Sequence, residues 1–391
     1  MKEKKVSVVI PYCKRITNIK YCLKSLNRQN LLKNEYEVII GCLEYSIELV
    51  DFIKNEVPDL HVILVMVNEK WNVSRARNMA IKEATGEVIV FIDADIIIPK
   101  NYLSNHYETH KKSKTPLFVA GQTRDYDEGL DIDNFKLKPF DFYYNEYLSK
   151  NINEINLPED IRWLNKIYID WSMGWTFNLS LSKKSIINNN LYFDEDFKGW
   201  GVEDIEWAYR VVNSGVKMVF SDKIWAIHLP HYRDVNKNHT DEKINFKKML
   251  NKWPFFDVEI VTTFGDIKGN QNYGRIMNNI SMITNADYPD ICTIEFMDKS
   301  NQRILFIGAL YNKKTKKIYF NNSAENLNEY SILKTLPLMG ISLPYNDGLI
   351  DRIYINPEIM KFDEDLREMI IDEAGRISKN VILLDECNIY N

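Results

Sequence analysis

Cysteine is scarce and scattered in this chain. The five present, Cys13, Cys22, Cys42, Cys292 and Cys387, are odd in number and form no C-x-x-C pair. That argues against a disulfide framework and a cysteine-ligated zinc site, and it fits a reducing cytoplasm. Surplus positive charge is also missing. Fifty Lys and Arg stand against 55 Asp and Glu, a net charge of −5, which leaves no electrostatic footprint for nucleic acid. No apolar run approaches the roughly 20 residues that cross a bilayer. The apolar stretch after the charged residues 1–5 breaks at Pro11 and meets Lys14 and Arg15, too short for a signal peptide. Peripheral contact at the inner face of a membrane stays open. Internal repeats and low-complexity tracts are absent. With 45% hydrophobic and 27% charged residues over 391 positions, the chain reads as a soluble globular protein of two or three domains.

Against that background one stretch stands out. Residues 88–92 form an apolar, β-branched run that ends in Asp93-Ala94-Asp95. A continuous apolar run suits a strand buried on both faces of a parallel sheet. Acids at its C-terminal end sit where open α/β sheets place ligands. Two residues apart on an extended chain, they point the same way about 6.6 Å apart. Hard oxygen ligands of this kind suit Mg²⁺ or Mn²⁺ beside phosphate, while the bland reading is a solvated acidic turn. Upstream, strands at 6–10, 37–41 and 61–67 alternate with helical patterns from Ile16, over 47–57 and over 74–84. Ser74 is placed as the last helix's N-cap and Gly86 as its stop. The alternation predicts a doubly wound, mostly parallel α/β sheet with helices on both faces.

These segments, Val-Ser-Val-Val-Ile-Pro-Tyr (6–12), Asn-Val-Ser-Arg-Ala-Arg-Asn (72–78) and Ala-Thr-Gly-Glu-Val-Ile-Val-Phe-Ile-Asp-Ala-Asp (84–95), resemble the first half of a GT-A family 2 glycosyltransferase. The resemblance implies that Pro11, Tyr12 and Arg15 lie near uridine, Asp93 near the ribose, and Asp95 on a metal ion. Arg77 falls in the segment that lines the nucleotide pocket, where its guanidinium pairs either with phosphate or with the acids of the D-x-D turn. One departure is visible. Where the family carries a second acidic pair after the second strand, this chain has Gly-Cys-Leu-Glu-Tyr-Ser (41–46), so Glu44 is the stand-in.

Further on, Phe197-Lys-Gly-Trp-Gly-Val-Glu-Asp (197–204) is similar to the Gly-Trp-Gly-x-Glu-Asp motif of inverting galactosyl- and N-acetylgalactosaminyltransferases and of chondroitin-polymerase-like bacterial enzymes. Carried over, Asp204 is the catalytic base, Glu203 its neighbour toward the sugars, and Trp200 shapes the acceptor site. Acids in a first helical turn are favoured by the macrodipole without any function, so the glycines and tryptophan carry the specificity. The helix start is expected to favour an ionised Asp204. The segment Trp171-Ser-Met-Gly-Trp-Thr-Phe-Asn-Leu-Ser-Leu-Ser (171–182) is similar to the strand that closes the donor pocket of GT-A enzymes; in it Trp175 offers a flat face to a sugar, Gly174 lets the sugar approach the backbone, and Trp171 is a core residue. His228 is the expected third metal ligand, with His231 second, and imidazole suits Mn²⁺ better than Mg²⁺.

Residues 131–150, rich in aromatics, read either as an insert over the acceptor or as an amphipathic helix. Residues 236–248 read as a loop over the nucleotide or a linker, and the boundary is set at Trp253. The two expected domains are 1–253, a GT-A domain, and 254–391, a smaller α/β domain with strands at 258–264, 291–296, 304–310, 318–320, 353–355 and 381–384 and a helix at 364–377. The second resembles the C-terminal half of a Rossmann methyltransferase but lacks its glycine motif. Acceptor recognition or homodimerisation are its expected roles. The implied activity is inverting, metal-dependent transfer of a hexose or N-acetylhexosamine from a UDP-sugar to a glycan, peptide or small-molecule acceptor. The rivals are a catalytically inactive sugar-nucleotide-binding or scaffold protein and a nucleotidyltransferase. The latter is disfavoured because Pro11-Tyr-Cys-Lys-Arg lacks the glycine-rich triphosphate loop.

Overall fold

A computed structural model describes residues 4–126, 136–319 and 331–384. Cys387, Phe320 and the 131–135 part of the aromatic stretch lie outside the described residues. The chain divides into two compact units, one of residues 1–166 and 170–245, the other of 167–169 and 246–391. The described residues contain no helix long and apolar enough to cross a membrane.

The first unit is built on strands β1 (Val6–Tyr12), β2 (Tyr36–Cys42), β3 (Val62–Met66), β4 (Val88–Ile92), β5 (Ile96–Ile97), β6 (Leu117–Asp125), β7 (Asn178–Ser182) and β8 (Lys217–His228). They form one sheet in the order β3-β2-β1-β4-β7-β6-β8-β5. The first four run parallel, as the βα alternation predicts. All residues of β1, β2 and β4 are buried, which is why these strands read as unbroken apolar runs. Helices α1 (Ile16–Leu26), α2 (Ile47–Glu56), α3 (Val73–Glu83) and α4 (Tyr102–Lys112) connect them. The aromatic stretch folds as a short helix α5 (Phe140–Tyr143) continued by a π turn through Leu148. Its rings pack with Trp225, Ile227 and Leu229 in a satellite core. Helices α6 (Ile161–Leu164), α7 (Lys183–Asn188) and α8 (Glu203–Asn213) complete the unit.

Four local readings are corrected. Asn72, not Ser74, caps α3: its side chain accepts the Arg75 N–H at 2.9 Å, while Ser74 is buried inside the helix. Gly86 does not stop that helix, which ends at Glu83. It lies against β1 instead, where an added Cβ would come within 2.5 Å of the Ser7 nitrogen. Trp171–Met173 belong to a 3-10 turn, and only Asn178–Ser182 of that segment is strand. Gly174 faces α8 rather than open space, with an added Cβ 2.3 Å from the Ala208 Cβ. Trp171 is buried as expected, edge-on to Tyr209.

Residues 236–248 are not a loop but part of helix α9 (Val235–Lys252). Its inward positions, Asn238, Asp241, Asn245, Phe246, Met249 and Leu250, follow the helical period, but the first three are polar and hide it from a hydrophobicity reading. Asn245 donates to the carbonyls of Lys198 and Gly201, both at 3.0 Å. The second unit contains helix α10 (Phe256–Phe264), where a strand was expected, then α11 (Asp266–Ile283) and α12 (Glu364–Ile377). The β-branched residues of α10 suggest a strand, but tertiary packing overrides that preference. Val258, Ile260 and Val261 are buried on neighbouring turns, and the buried Glu259 carboxylate accepts N–H bonds from Met339, Gly340 and Ser342. Strands β9 (Asp290–Met297), β10 (Arg303–Asn312), β11 (Lys317–Tyr319), β12 (Ser331–Leu336), β13 (Arg352–Ile355) and β14 (Val381–Leu383) form a mixed sheet in the order β12-β9-β10-β13-β14, with β11 paired to β10.

Candidate functional site

Backbone register assembles the first cluster. After β4 the chain turns at Asp93–Asp95 and enters the short β5, whose Ile96 pairs with His228 at the end of β8. The Leu229 N–H donates to the Asp95 carbonyl at 2.9 Å. On its other side β8 pairs with β6, which places Asp125 opposite His228. Asp95, His228 and His231 thus each offer a ligand atom within 4.8 Å of the others. His231 Nε2 is 3.2 Å from Asp95 Oδ2 and His228 Nε2 is 3.7 Å from Asp95 Oδ1.

The outer nitrogens of both rings are occupied. His228 Nδ1 bonds to Asp125 Oδ1 and His231 Nδ1 to the Tyr232 carbonyl, each at 2.9 Å. With Nδ1–H donated to an oxygen, the Nε2 lone pair faces the cluster, the tautomer a metal-ligating histidine adopts. Phe177 stacks on the His228 ring at 7°. Burial pushes the His231 pKa down to about 4. Burial also opposes charge on His228, but the Asp125 hydrogen bond and the charges of Asp95 and Asp125 outweigh it and raise its pKa. Asp95 is 1% exposed. Burial would raise its pKa, yet His228, Arg15 and His231 together bring it below the ordinary carboxylate value. Arg15, at the start of α1, pairs with Asp95 Oδ2, whereas Asp95 Oδ1 is buried without a hydrogen-bond partner. One carboxylate, two neutral-capable imidazoles and an orphaned carboxylate oxygen fit a divalent cation.

The second cluster lies at the start of α8. Gly199 and Gly201 both have φ above +80° and Val202 has φ +72°, a left-handed turn that glycine permits and valine resists. From it Glu203 and Asp204 enter the first helical turn. Asp204 Oδ1 accepts from the Ile205 N–H at 2.9 Å, and Oδ2 lies 3.4 Å from the Thr176 N–H. The helix start does not leave this carboxyl readily ionised. Burial, then the adjacent Glu203 charge, push its pKa up to about 7, against the lowering effect of Arg77.

Arg77 is buried between the two clusters' acids. Its Nη1 donates to Glu203 Oε1 at 2.9 Å and its Nη2 to Asp93 Oδ1 at 3.2 Å. Of the remaining expected residues, Pro11 and Tyr12 end β1, with Tyr12 buried in the core, and Glu44 accepts the Lys14 N–H at 2.9 Å. Trp200 is 49% exposed, and its backbone N–H donates to Asp241 at 3.2 Å. Trp175 lines a cavity of about 510 Å³ together with Thr123, Asp125, Asp160 and Phe177. The buried Arg162, paired with Asp160 at 2.6 Å, sits 4.8 Å from the Trp175 ring centre. Sequence reasoning missed Asp125, Phe177 and the Asp160–Arg162 pair. Asp125 is placed by strand register, Phe177 lies in the turn just before β7 and stacks on His228, and Asp160–Arg162 is a local pair whose burial no sequence pattern announces.

Residues 7–170, about two fifths of the chain, match the family model described as Glycosyl transferase family 2. Over 259 residues, 64% of the chain, it is 26% identical to the validoxylamine A glucosyltransferase of Streptomyces hygroscopicus subsp. jinggangensis, of which it covers 61%. It is 23% identical to the uncharacterized glycosyltransferase YfnE of Bacillus subtilis, over 64% of this chain and 70% of that protein. The match thus spans about three fifths of the length of the first of these relatives. Among solved structures, TarS 1-349 of S. aureus in complex with UDP-GlcNAc aligns with TM-score 0.48 and 15% identity, over 72% of this chain and 77% of that one.

Proposed function

We propose that the first unit is an inverting, metal-dependent glycosyltransferase that uses a UDP-sugar, starting from the family 2 match over residues 7–170. The observation that carries this reading is the meeting of Asp95, His228 and His231, drawn from segments far apart in sequence, in the unit that also presents a carboxyl with a pKa of about 7 at Asp204. Asp95, His228 and His231 hold Mn²⁺ or Mg²⁺. When bound, the cation supplies Lewis-acid stabilisation of negative charge on the diphosphate leaving group. Asp125 and the Tyr232 carbonyl fix the two imidazoles that hold it.

The chemical step belongs to Asp204. A base is most effective when its pKa lies near the working pH, and burial beside Glu203 moves this one there. Its carboxylate takes the proton of the acceptor nucleophile. The freed electron pair forms the bond to the anomeric carbon, and the bond from that carbon to the diphosphate oxygen breaks with its pair leaving on UDP. One displacement from the opposite face inverts the configuration. The Thr176 and Ile205 N–H groups orient the carboxylate. In this reading Pro11, Arg15, Glu44 and Asp93 surround the nucleoside with Tyr12 behind them in the core, Trp175 faces a sugar, and the exposed Trp200 shapes the acceptor side. The second unit serves acceptor recognition or self-association.

The test is release of UDP from a panel of UDP-sugars with Mn²⁺ or with EDTA. Metal-dependent hydrolysis or transfer with one sugar supports the reading and names the donor. Saturable, metal-dependent UDP binding without turnover, with every acceptor class tried, would make the chain a binding module instead.

A further inference from the structure

Arg77 touches acids of both motifs. Its side chain is 4% exposed. One end of the guanidinium bonds Asp93, which follows β4, and the other bonds Glu203, the first residue of α8. Its face lies 5.2 Å from the Phe193 ring centre. With both terminal nitrogens engaged and almost no surface left, it offers little to a phosphate. Burial alone would ease loss of its proton, but the charges of Asp93, Glu203 and Asp204 hold it firmly protonated.

We propose that Arg77 is a positioning residue that locks the nucleotide-side turn to the start of α8 and tunes the proton affinity and aim of the base at Asp204. The proposal rests on the transferase reading above and deepens it. Two carboxylates in succession at a helix start repel each other. By neutralising Glu203, Arg77 lets Asp204 ionise near neutral pH instead of well above it. The bidentate geometry also explains why arginine is used: a lysine carries the charge but has no planar fork to hold two carboxylates on opposite sides. The charged groups that face Asp204 are Glu203 from its own helix and Arg77 from α3, and the backbone N–H groups of Ile205 and Thr176 complete its surroundings.

The experiment measures kcat and KM against pH for wild type, Arg77→Met, Arg77→Lys and Glu203→Gln. In parallel, Asp204 is titrated directly by carbon NMR of labelled aspartate, with Asp204→Asn assigning the signal. A nearby opposite charge is worth roughly one to three pKa units, so Arg77→Met should move the acid limb and the NMR titration upward by at least about one unit. Glu203→Gln should move both downward. Arg77→Lys should keep the limb near wild type while kcat falls about tenfold or more, because one of the two carboxylates is released. If Arg77→Met does not fold, the lysine and Glu203 variants carry the decision. Unchanged titration of Asp204 in a folded Arg77→Met or in Glu203→Gln would overturn the proposal, as would an Arg77→Lys enzyme with wild-type kcat. Because the NMR titration needs no turnover, a wild type without any UDP-sugar activity would defeat the transferase reading and leave this linkage to be judged separately.

Discussion

Two buried carboxylates in one unit, Asp95 and Asp204, are driven in opposite directions by their neighbours. Both lose hydration, which by itself favours the neutral acid. At Asp95 the loss is overcome by Arg15 and two histidines. At Asp204 it is reinforced by Glu203 and only partly offset by Arg77. The first is therefore suited to stay charged and bind a cation, the second to exchange a proton near neutrality. Environments that push like groups apart are how one site divides binding from acid–base work. The structural cause is also different. Asp95 meets the histidines through the pairing of β5 with β8 and Arg15 through the start of α1. Asp204 gets its partners from a glycine turn and a helix start.

The strongest way to break this comparison is to remove each carboxylate in turn. On the proposed reading, Asp95→Ala should abolish metal-dependent UDP binding and turnover together, since the candidate site would lose the one carboxylate that meets His228 and His231. Asp204→Asn should keep metal-dependent UDP binding and lose about 10²- to 10⁴-fold in kcat, the range of a single general base. UDP affinity by calorimetry and kcat by UDP release read the two effects separately. Equal loss of binding in both variants would merge the two corners into one.

The residues of both corners are legible in the sequence, because each motif is contiguous, but the division between them is not: the helix start suggests an ionised Asp204, and burial beside Glu203 reverses that. Asp93–Asp95, Glu203–Asp204 and His228–His231 each announce themselves by residue type and spacing. What is not legible is what sequence-distant strands bring beside them. Asp125 lies opposite His228 only because β6 and β8 pair in parallel with a register shift after Gly121. That shift lets Ser221 and Trp225 oppose successive residues of β6, so counting along either strand does not reveal it. The two misread helices fail for opposite reasons. The buried side of α9 is polar enough to look like a linker, and α10 is β-branched enough to look like a strand. In both, tertiary contacts outweigh local preference.

A smaller effect is expected one step out from the metal ligands. Asp125→Asn replaces the carboxylate that holds His228 Nδ1. Outer partners of ligating histidines typically contribute 10- to 100-fold in metal affinity, so Mn²⁺ affinity should fall within that range. The acid limb assigned to Asp204 should stay in place, since Asp125 is not among the groups acting on it. Mn²⁺ titration followed by electron paramagnetic resonance measures the first quantity and a kcat–pH profile the second. A shifted limb would show that the corners are coupled through the sheet as well as through Arg77.

The smallest expected effect concerns stability, and its sign separates the two acids. Asp204 has a folded-state pKa of about 7, above its ordinary 3.8, so the native state holds more protons than the unfolded chain between those values. Stability then falls as pH rises through that window, because ionising the buried carboxyl costs more than ionising it in water. Asp204→Asn removes that penalty. Its Tm should exceed wild type by a few degrees at pH 8 and the gain should shrink toward zero as the pH approaches 4. Asp95→Asn should do the reverse at neutral pH, lowering Tm because Arg15 and His231 lose the carboxylate they pair with. Differential scanning calorimetry of the three proteins across this range decides the matter. A Tm for Asp204→Asn below wild type at pH 8 would mean that Arg77 stabilises the ionised base more than burial opposes it, and the contrast between the two carboxylates would disappear.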